Sequence, residues 1–345
     1  MLVETALPYA HEDMNTTGIL GHERQIALLD GLVERGRVPQ TMLFAGMEGI
    51  GKRLIARRFL ASLLCSGLER PCFACPSCST IEAGTHPDFI ELSPNERGII
   101  PIGDETKREE GTVRRLIERL SRRSVSGLTA VVVDGVDRIF EEGQNALLKT
   151  IEEPPASARI ILLASNSSRI LPTILSRCLV LKFHAPDDKE VTAFLAARGV
   201  SPETSALAVP FSGGSFSMAL SFADERRRME VLALCRETAR YLRDGDTFNP
   251  PLEKATKSAG SEALLDALIN FYRWNLLLLE TGGAVPAEFS DIAVVRKDTL
   301  FGLVKILLAL KKGLSHNLNL KIGLKGMLYS LHPGDRQGAG SGASI

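Results

Sequence analysis

Thr41-Met-Leu-Phe-Ala-Gly46-Met-Glu-Gly-Ile-Gly51-Lys52-Arg53 is a short apolar run that empties into a glycine loop, and Leu54 to Leu64 behind it has the spacing of a helix. Strand, loop and helix in that order are the surroundings in which the pattern Gly-x4-Gly-Lys-[Ser/Thr] binds phosphate. The glycines let backbone N–H groups close around phosphate oxygens, the lysine reaches the terminal phosphates, and the final hydroxyl coordinates magnesium. Gly46, Gly49, Gly51 and Lys52 keep this frame, but the hydroxyl position is Arg53. A guanidinium has five donors and no lone pair for a cation, so the loop can cradle phosphate while handling magnesium badly.

Outward from the loop, Gly21 to Gly36 has the spacing of an amphipathic helix through Ile26, Leu28, Leu29, Leu32 and Val33. Thr129 to Val133 is a β-branched run ending in Asp134, and Ile160 to Ala164 is another ending at Ser165 and Asn166. Between them a helix, roughly Gly143 to Glu152, stops at Pro154-Pro155. Alternating strands and helices predict a parallel, doubly wound sheet with its chemistry at the strand C-terminal ends, where Asp134 and Asn166 stand. Beyond about Ala185 the strand signals fade. Helices are expected at Asp187 to Arg198, with Asp187 and Asp188 as caps, at Ser217 to Tyr241, at Ser261 to Leu279, and at Thr299 to Leu331 with breaks at Gly313 and at Gly323 or Gly326.

The chain has 345 residues, 44% hydrophobic and 24% charged, which suits two or three ordinary globular domains. Lys+Arg and Asp+Glu balance at 41 each, against a general electrostatic drive toward nucleic acid or membrane. Met1 to Gln40 lacks a secretory pattern, and the charge-free run Ser205 to Ala223 contains Pro210, Gly213 and Gly214, which suits a helix-turn-helix in water. A cytoplasmic location without membrane partners is expected, where six cysteines are metal ligands or free thiols rather than disulfides.

Cys65, Cys72, Cys75 and Cys78 form C-x6-C-x2-C-x2-C, a spacing that brings four thiolates around one ion. Structural Zn2+ is the expected occupant, since four sulfurs fill its tetrahedron and leave no open position. An iron–sulfur cluster fits less well for want of a following C-x3-C-P, and the remaining reading is four reduced thiols. Cys178 and Cys235 read as small buried hydrophobes.

One family shares these segments in this order: Gly21-His-Glu-Arg-Gln, Gly46 to Lys52, the cysteine module, His86-Pro-Asp, Val131-Val-Val-Asp134, Asn145-Ala-Leu-Leu-Lys-Thr-Ile-Glu-Glu-Pro-Pro155, and Leu171-Pro-Thr-Ile-Leu-Ser176-Arg177-Cys178. The chain resembles the AAA+ clamp-loader subunits of bacteria, most specifically at Asn145 to Pro155 and Ser176 to Cys178. The resemblance implies an α/β AAA+ parallel-sheet domain over 1–184 with the zinc module at 65–78. A helical lid over 185–228, an all-α collar over 229–333 for oligomerisation, and a disordered tail over 334–345 would follow. It implies a nucleotide pocket for ATP or ADP from Gly46, Gly49, Gly51, Lys52, Arg53, Asp134 and Asn166, and an arginine finger, Arg177, offered to the neighbouring subunit's ATP. A planar, permanently charged guanidinium suits the charge that develops on a transferring phosphoryl group. The alternative for Arg177 is a surface arginine capping a turn before a strand. Implied partners are gamma/tau- and delta-type subunits of DNA polymerase III, the sliding clamp through the assembly, and primer-template DNA weakly or indirectly.

The family's working ATPases carry a hydroxyl at 53, Asp-Glu at 134–135 and an arginine at 217; this chain has Arg53, Asp134-Gly135 and Gly214-Ser-Phe-Ser217. The absences imply a member that assists hydrolysis in trans without owning it, the alternatives being an ATP-hydrolysing gamma/tau-type subunit or a stand-alone P-loop ATPase. Two further clusters have competing readings. Arg114, Arg115, Arg119, Arg122 and Arg123 could meet DNA phosphates or form a solvated face paired with Glu118 and the acidic run 104–110. Phe271-Tyr272-x-Trp274 reads as helix packing ahead of a base-stacking platform.

Overall fold

The computed structural model describes residues 21–104, 106–244, 260–294, 296–314, 322–324 and 326. The expected tail over 334–345 and the end of the last expected helix lie outside them. The chain divides into two units, one ending at Pro186 and the other beginning at Asp187.

The first unit runs α1 (Glu23–Glu34), β1 (Thr41–Ala45), α2 (Lys52–Leu64), α3 (Pro76–Glu82), β2 (Phe89–Leu92), α4 (Val113–Leu120), β3 (Thr129–Asp134), α5 (Glu141–Glu152), β4 (Ala158–Ala164), α6 (Pro172–Leu175) and β5 (Leu179–Lys182). Its five strands form one sheet in the order β2-β3-β4-β1-β5, parallel throughout. The β1, β3 and β4 runs are continuously apolar because both faces of the sheet are covered. Successive side chains point to opposite faces: Leu43, Val131, Val133, Ile160 and Leu162 enter one core with residues of α4 and α5. Met42, Phe44, Ala130, Val132, Ile161 and Leu163 enter the other with residues of α1 and α2.

Expected β1, β3 and β4 are present, with β4 starting two residues earlier than read. β2 was not among the expected strands. It is only four residues long and carries Glu91 in its middle. His86-Pro-Asp88 explains its start. The buried Asp88 carboxylate accepts from Val125 N (3.0 Å), Ser126 N (2.6 Å) and Ser126 Oγ (2.7 Å), tying the turn before β3 to the turn before β2. Burial alone would raise the Asp88 pKa, but the bonds from Ser126 and Val125 outweigh it and hold the carboxyl low.

β1 lies inside the sheet, so its C-terminal end faces two neighbours. Gly46 N donates to Ala164 O at the end of β4, Phe183 N donates to Ala45 O, and Gly135 N donates to Leu163 O. The glycine loop, the Asp134-Gly135 corner and the Ser165-Asn166 turn therefore share one edge, the strand ends at which a parallel sheet places its chemistry.

The second unit comprises α7 (Asp188–Ala197), α8 (Pro202–Ser212), α9 (Phe216–Ala223), α10 (Glu225–Asp244), α11 (Gly260–Glu280) and α12 (Lys297–Leu314). Asp187 and Glu190 form a reciprocal capping box at α7. The expected helix-turn-helix over Ser205 to Ala223 is α8 and α9 joined through Gly213-Gly214. The single helix expected over Ser217 to Tyr241 is corrected to two. Asp224 is extended, and its side chain accepts from Arg227 N at 3.0 Å, which caps a new helix. Gly213 adopts a left-handed φ of 57° at the end of α8, whereas Gly313 does not break α12. α10 runs unbroken across residues 228 and 229, and one apolar core contains Val191, Phe222, Leu234, Phe271 and Leu303. Phe271 and Tyr272 are fully buried, and Phe271 stacks on Phe211 at 4.8 Å, so this aromatic cluster is packing. Among the described residues, no helix is long and apolar enough to cross a membrane.

Candidate functional site

The glycine loop is pinned on both sides. His22, itself left-handed at φ 64°, places Nε2 2.9 Å from Ile50 O and packs edge-on against Phe183. A Cβ on Gly46 would stand 2.5 Å from Phe183 O, so only glycine fits where the loop leaves β1. Gly49 and Gly51 have φ of 76° and 92°, the left-handed values that turn the loop into α2.

Lys52 opens α2 and is buried, with Nζ donating to Gly46 O and Met47 O, both at 2.5 Å. Burial lowers its pKa against the raising influence of Asp134, Glu48 and Asp137. Arg53 turns the other way. Its Nε is 3.3 Å from Glu91 Oε1 and its NH1 3.7 Å from Asp134 Oδ2. Glu91 also pairs with Arg57, whose NH2 donates to Ile81 O of α3 at 3.0 Å. Burial raises the Asp134 pKa, and Arg53 is the first influence that opposes it. A fixed cation on the residue following the loop lysine thus stands beside the carboxylate that ends β3.

Gly135 has φ 94° and ψ 55°, and a Cβ there would lie 3.1 Å from Arg138 Cδ. A glutamate in this position would be strained, so the missing carboxylate is matched by a backbone that favours glycine. Arg138 instead closes over the loop, pairing with Glu48 at 2.6 Å. Asp137, not singled out from sequence, ties the site together: its Oδ2 accepts from Asn166 N (2.9 Å) and Ser165 N (3.3 Å). The Asn166 side chain caps the following turn by accepting from Ser168 N at 3.0 Å. Ser217 is the second residue of α9, with its Oγ 3.2 Å from Ser215 Oγ.

The four cysteines of the module converge, with all Sγ atoms within 4.8 Å of one another. Gly67 N and Cys72 N point at Cys65 Sγ (3.3 and 3.4 Å), and Cys75 N points at Cys72 Sγ (3.3 Å). N–H donors aimed at sulfur favour thiolates. A Cβ at Gly67 would strike Cys72 Cβ at 2.7 Å, which keeps that turn narrow. A backbone N–H bond from Cys78 is the foremost cause holding the Cys75 thiol at about 5, while burial pushes Cys78 up to about 12. This group can hold a metal ion and is compatible with structural zinc. Of the lone thiols, Cys235 is fully buried as expected, whereas Cys178 is only half-buried, packed at the edge of the core, with its thiol pushed up to about 11 by burial.

Arg177 follows α6 on the surface, donating from NH1 to Thr173 O (3.0 Å) and Ser176 Oγ (3.1 Å), with NH2 2.9 Å from Glu152 Oε1. The arginine helix α4 is laced with acids: Glu118 pairs with Arg115 and Arg122, both at 2.7 Å, and with Arg108 at 3.4 Å. Arg115, first among its neighbours, holds the Glu118 carboxyl down to about 2.

Residues 21–187 match the family described as DNA polymerase III, delta subunit. The delta' subunit of Bacillus subtilis is 26% identical over 90% of this chain and 96% of its own length. The delta' subunit of Escherichia coli is 29% identical over 63% of this chain and 64% of its own length. The tau/gamma subunit of Haemophilus influenzae is 33% identical over 52% of this chain, which spans only 25% of that protein. A gamma subunit-related protein from Thermotoga maritima shares the fold at a TM-score of 0.50 and 17% identity, over 89% of this chain and 98% of that one. The parallel sheet, its strand-end site and these relatives define a clamp-loader subunit. The matched family and these delta' relatives are what the chain is similar to within that class, DNA polymerase III subunits of the delta and delta-prime type.

Proposed function

We propose that this chain is a non-hydrolysing subunit of the DNA polymerase III clamp loader, working in the cytoplasm, which lends Arg177 to the ATP of a neighbouring subunit during loading of the sliding clamp on primed DNA. Partners in this reading are gamma/tau- and delta-type subunits, with the clamp and DNA reached through the assembly. The observation that carries it is Arg53: its guanidinium lies 3.7 Å from Asp134 Oδ2, giving the strand-end carboxylate a built-in counter-charge where a hydrolysing site needs magnesium. Gly135, in a backbone state that disfavours glutamate, supports the same reading by leaving no carboxylate at the position directly after Asp134. Arg177, by contrast, is half-exposed and outward. The cysteine group serves as a structural zinc site that fixes α3 against α2.

Equilibrium binding of a fluorescent ATP analogue tests the loop. Wild-type protein is expected to show the same affinity with and without magnesium, and Arg53→Thr to acquire a magnesium-dependent gain of about tenfold or more, the scale of one restored charge-assisted contact. Magnesium-dependent binding by the wild type would show that the loop retains a working metal position.

A further inference from the structure

The two sequence segments most specific to the family, Asn145 to Pro155 and Ser176 to Cys178, meet at one contact: Glu152 Oε1 lies 2.9 Å from Arg177 NH2. Glu152 is the last residue of α5, just ahead of the Pro154-Pro155 stop that fixes where the helix ends. Arg177 is anchored along one side only. Thr173 O and Ser176 Oγ take NH1 and Glu152 takes NH2, and among the described residues this guanidinium has no further partner. An arginine has five donors in a rigid fork, so this anchoring leaves donors over for a further anion. The contacts to Thr173 and Ser176 are local, four residues and one residue back along the chain. Glu152 comes from a separate element 25 residues earlier in the chain and is the only charged group in the set.

From this we infer that Glu152 is a positioning residue for Arg177: it holds the guanidinium at a fixed orientation on the surface so that its unused donors are presented to the phosphates of a neighbouring nucleotide. An unanchored arginine side chain on a surface samples many rotamers, and fixing one costs entropy at the moment of reaction. A carboxylate that holds one edge of the fork removes part of that cost beforehand. Glu152 neither touches the nucleotide nor transfers a proton in this scheme. Glu153, next in sequence, lies beyond the helix, and among the described residues Arg177 pairs with Glu152 and not with Glu153, which distinguishes the two acids of the Glu-Glu-Pro-Pro segment.

This inference rests on the arginine-finger reading, and the experiment separates the two. The loader is reconstituted from its own gamma/tau- and delta-type subunits with this chain as wild type, Glu152→Gln, Glu152→Asp, Arg177→Ala, or Glu152→Gln with Arg177→Ala. ATP hydrolysis is measured as kcat and KM. Glu152→Gln is expected to lower kcat about twofold to fivefold, the range of an exposed ion pair, with KM unchanged. Glu152→Asp, keeping the charge, should recover part of that loss, and Glu152→Gln should add nothing once Arg177 is alanine. Wild-type kcat in Glu152→Gln, beside a crippled Arg177→Ala, overturns the positioning role while leaving the finger intact. A loss from Glu152→Gln that persists undiminished in the Arg177→Ala background assigns Glu152 a general structural role and also overturns it. Full activity in Arg177→Ala overturns the finger reading itself.

Discussion

A clamp loader assembled with Arg177→Ala in this chain is expected to hydrolyse ATP roughly a thousandfold more slowly at the one site this subunit completes, the lower end of what an arginine finger contributes. The physical reason is charge. As the γ-phosphoryl group transfers, negative charge spreads over its oxygens, and a guanidinium brought from the adjoining subunit meets it without drawing on the neighbour's own residues. Other sites in the assembly keep their own machinery, so rapid-quench kinetics is the informative readout. The burst should lose one site's amplitude, and the steady-state rate should fall with it. The change should leave the chain's own fold intact, since Arg177 is half-exposed and its pair with Glu152 is worth at most about 1 kcal/mol at the surface. Equal melting temperatures for wild type and variant would verify that the loss is catalytic. A burst amplitude identical to wild type would remove Arg177 from catalysis.

Removing the metal from the cysteine module should produce the largest stability effect. Cys65 and Cys78 are buried and the four Sγ atoms lie within 4.8 Å of one another, so without an ion four sulfurs crowd a site built to share a cation. Stripping with a strong chelator, or Cys78→Ser, is expected to cost upward of about 3 kcal/mol, because loss of a structural metal belongs to the severe class of changes. For a unit the size of the one ending at Pro186, which carries the module, that is a fall of about 6–12 °C in its melting temperature. The damage should also travel. α3 carries both Cys78 and Ile81, and the Ile81 carbonyl takes Arg57, which shares Glu91 with Arg53. Elemental analysis of protein purified without chelator should find one zinc per chain. Metal-free protein with an unchanged melting temperature would contradict the structural role.

Much of the strand-end site was legible because its residues announce themselves locally. A glycine loop has a fixed spacing, and short apolar runs buried on both faces mark β1, β3 and β4 without knowledge of their neighbours. The cysteine group was legible for the same reason, its ligands falling within one short module. What escaped was everything that depends on pairing between distant elements. β2 is four residues with an acid in the middle, which no periodicity marks, yet it delivers Glu91 to Arg53 and Arg57. Asp137 looked like a loop acid, and only the parallel register of β3 with β4 brings it to the backbone of Ser165 and Asn166. The break at Asp224 is a local cap signal, masked because the residues on both sides of it are good helix formers. The backbone state of Gly135 turned a missing glutamate from a compositional remark into a conformational one.

We propose a chain whose loop carries its own counter-charge, Arg53 beside Asp134, and whose exposed Arg177 serves another subunit. The most direct test is ATP turnover by the purified chain alone in the presence of magnesium. We expect no phosphate release above the background of an enzyme-free control, because Arg53 stands 3.7 Å from Asp134 and glycine, not glutamate, directly follows Asp134. Sustained turnover by the isolated chain, abolished by Lys52→Ala, would show that the loop is a working catalytic site and would contradict the claim.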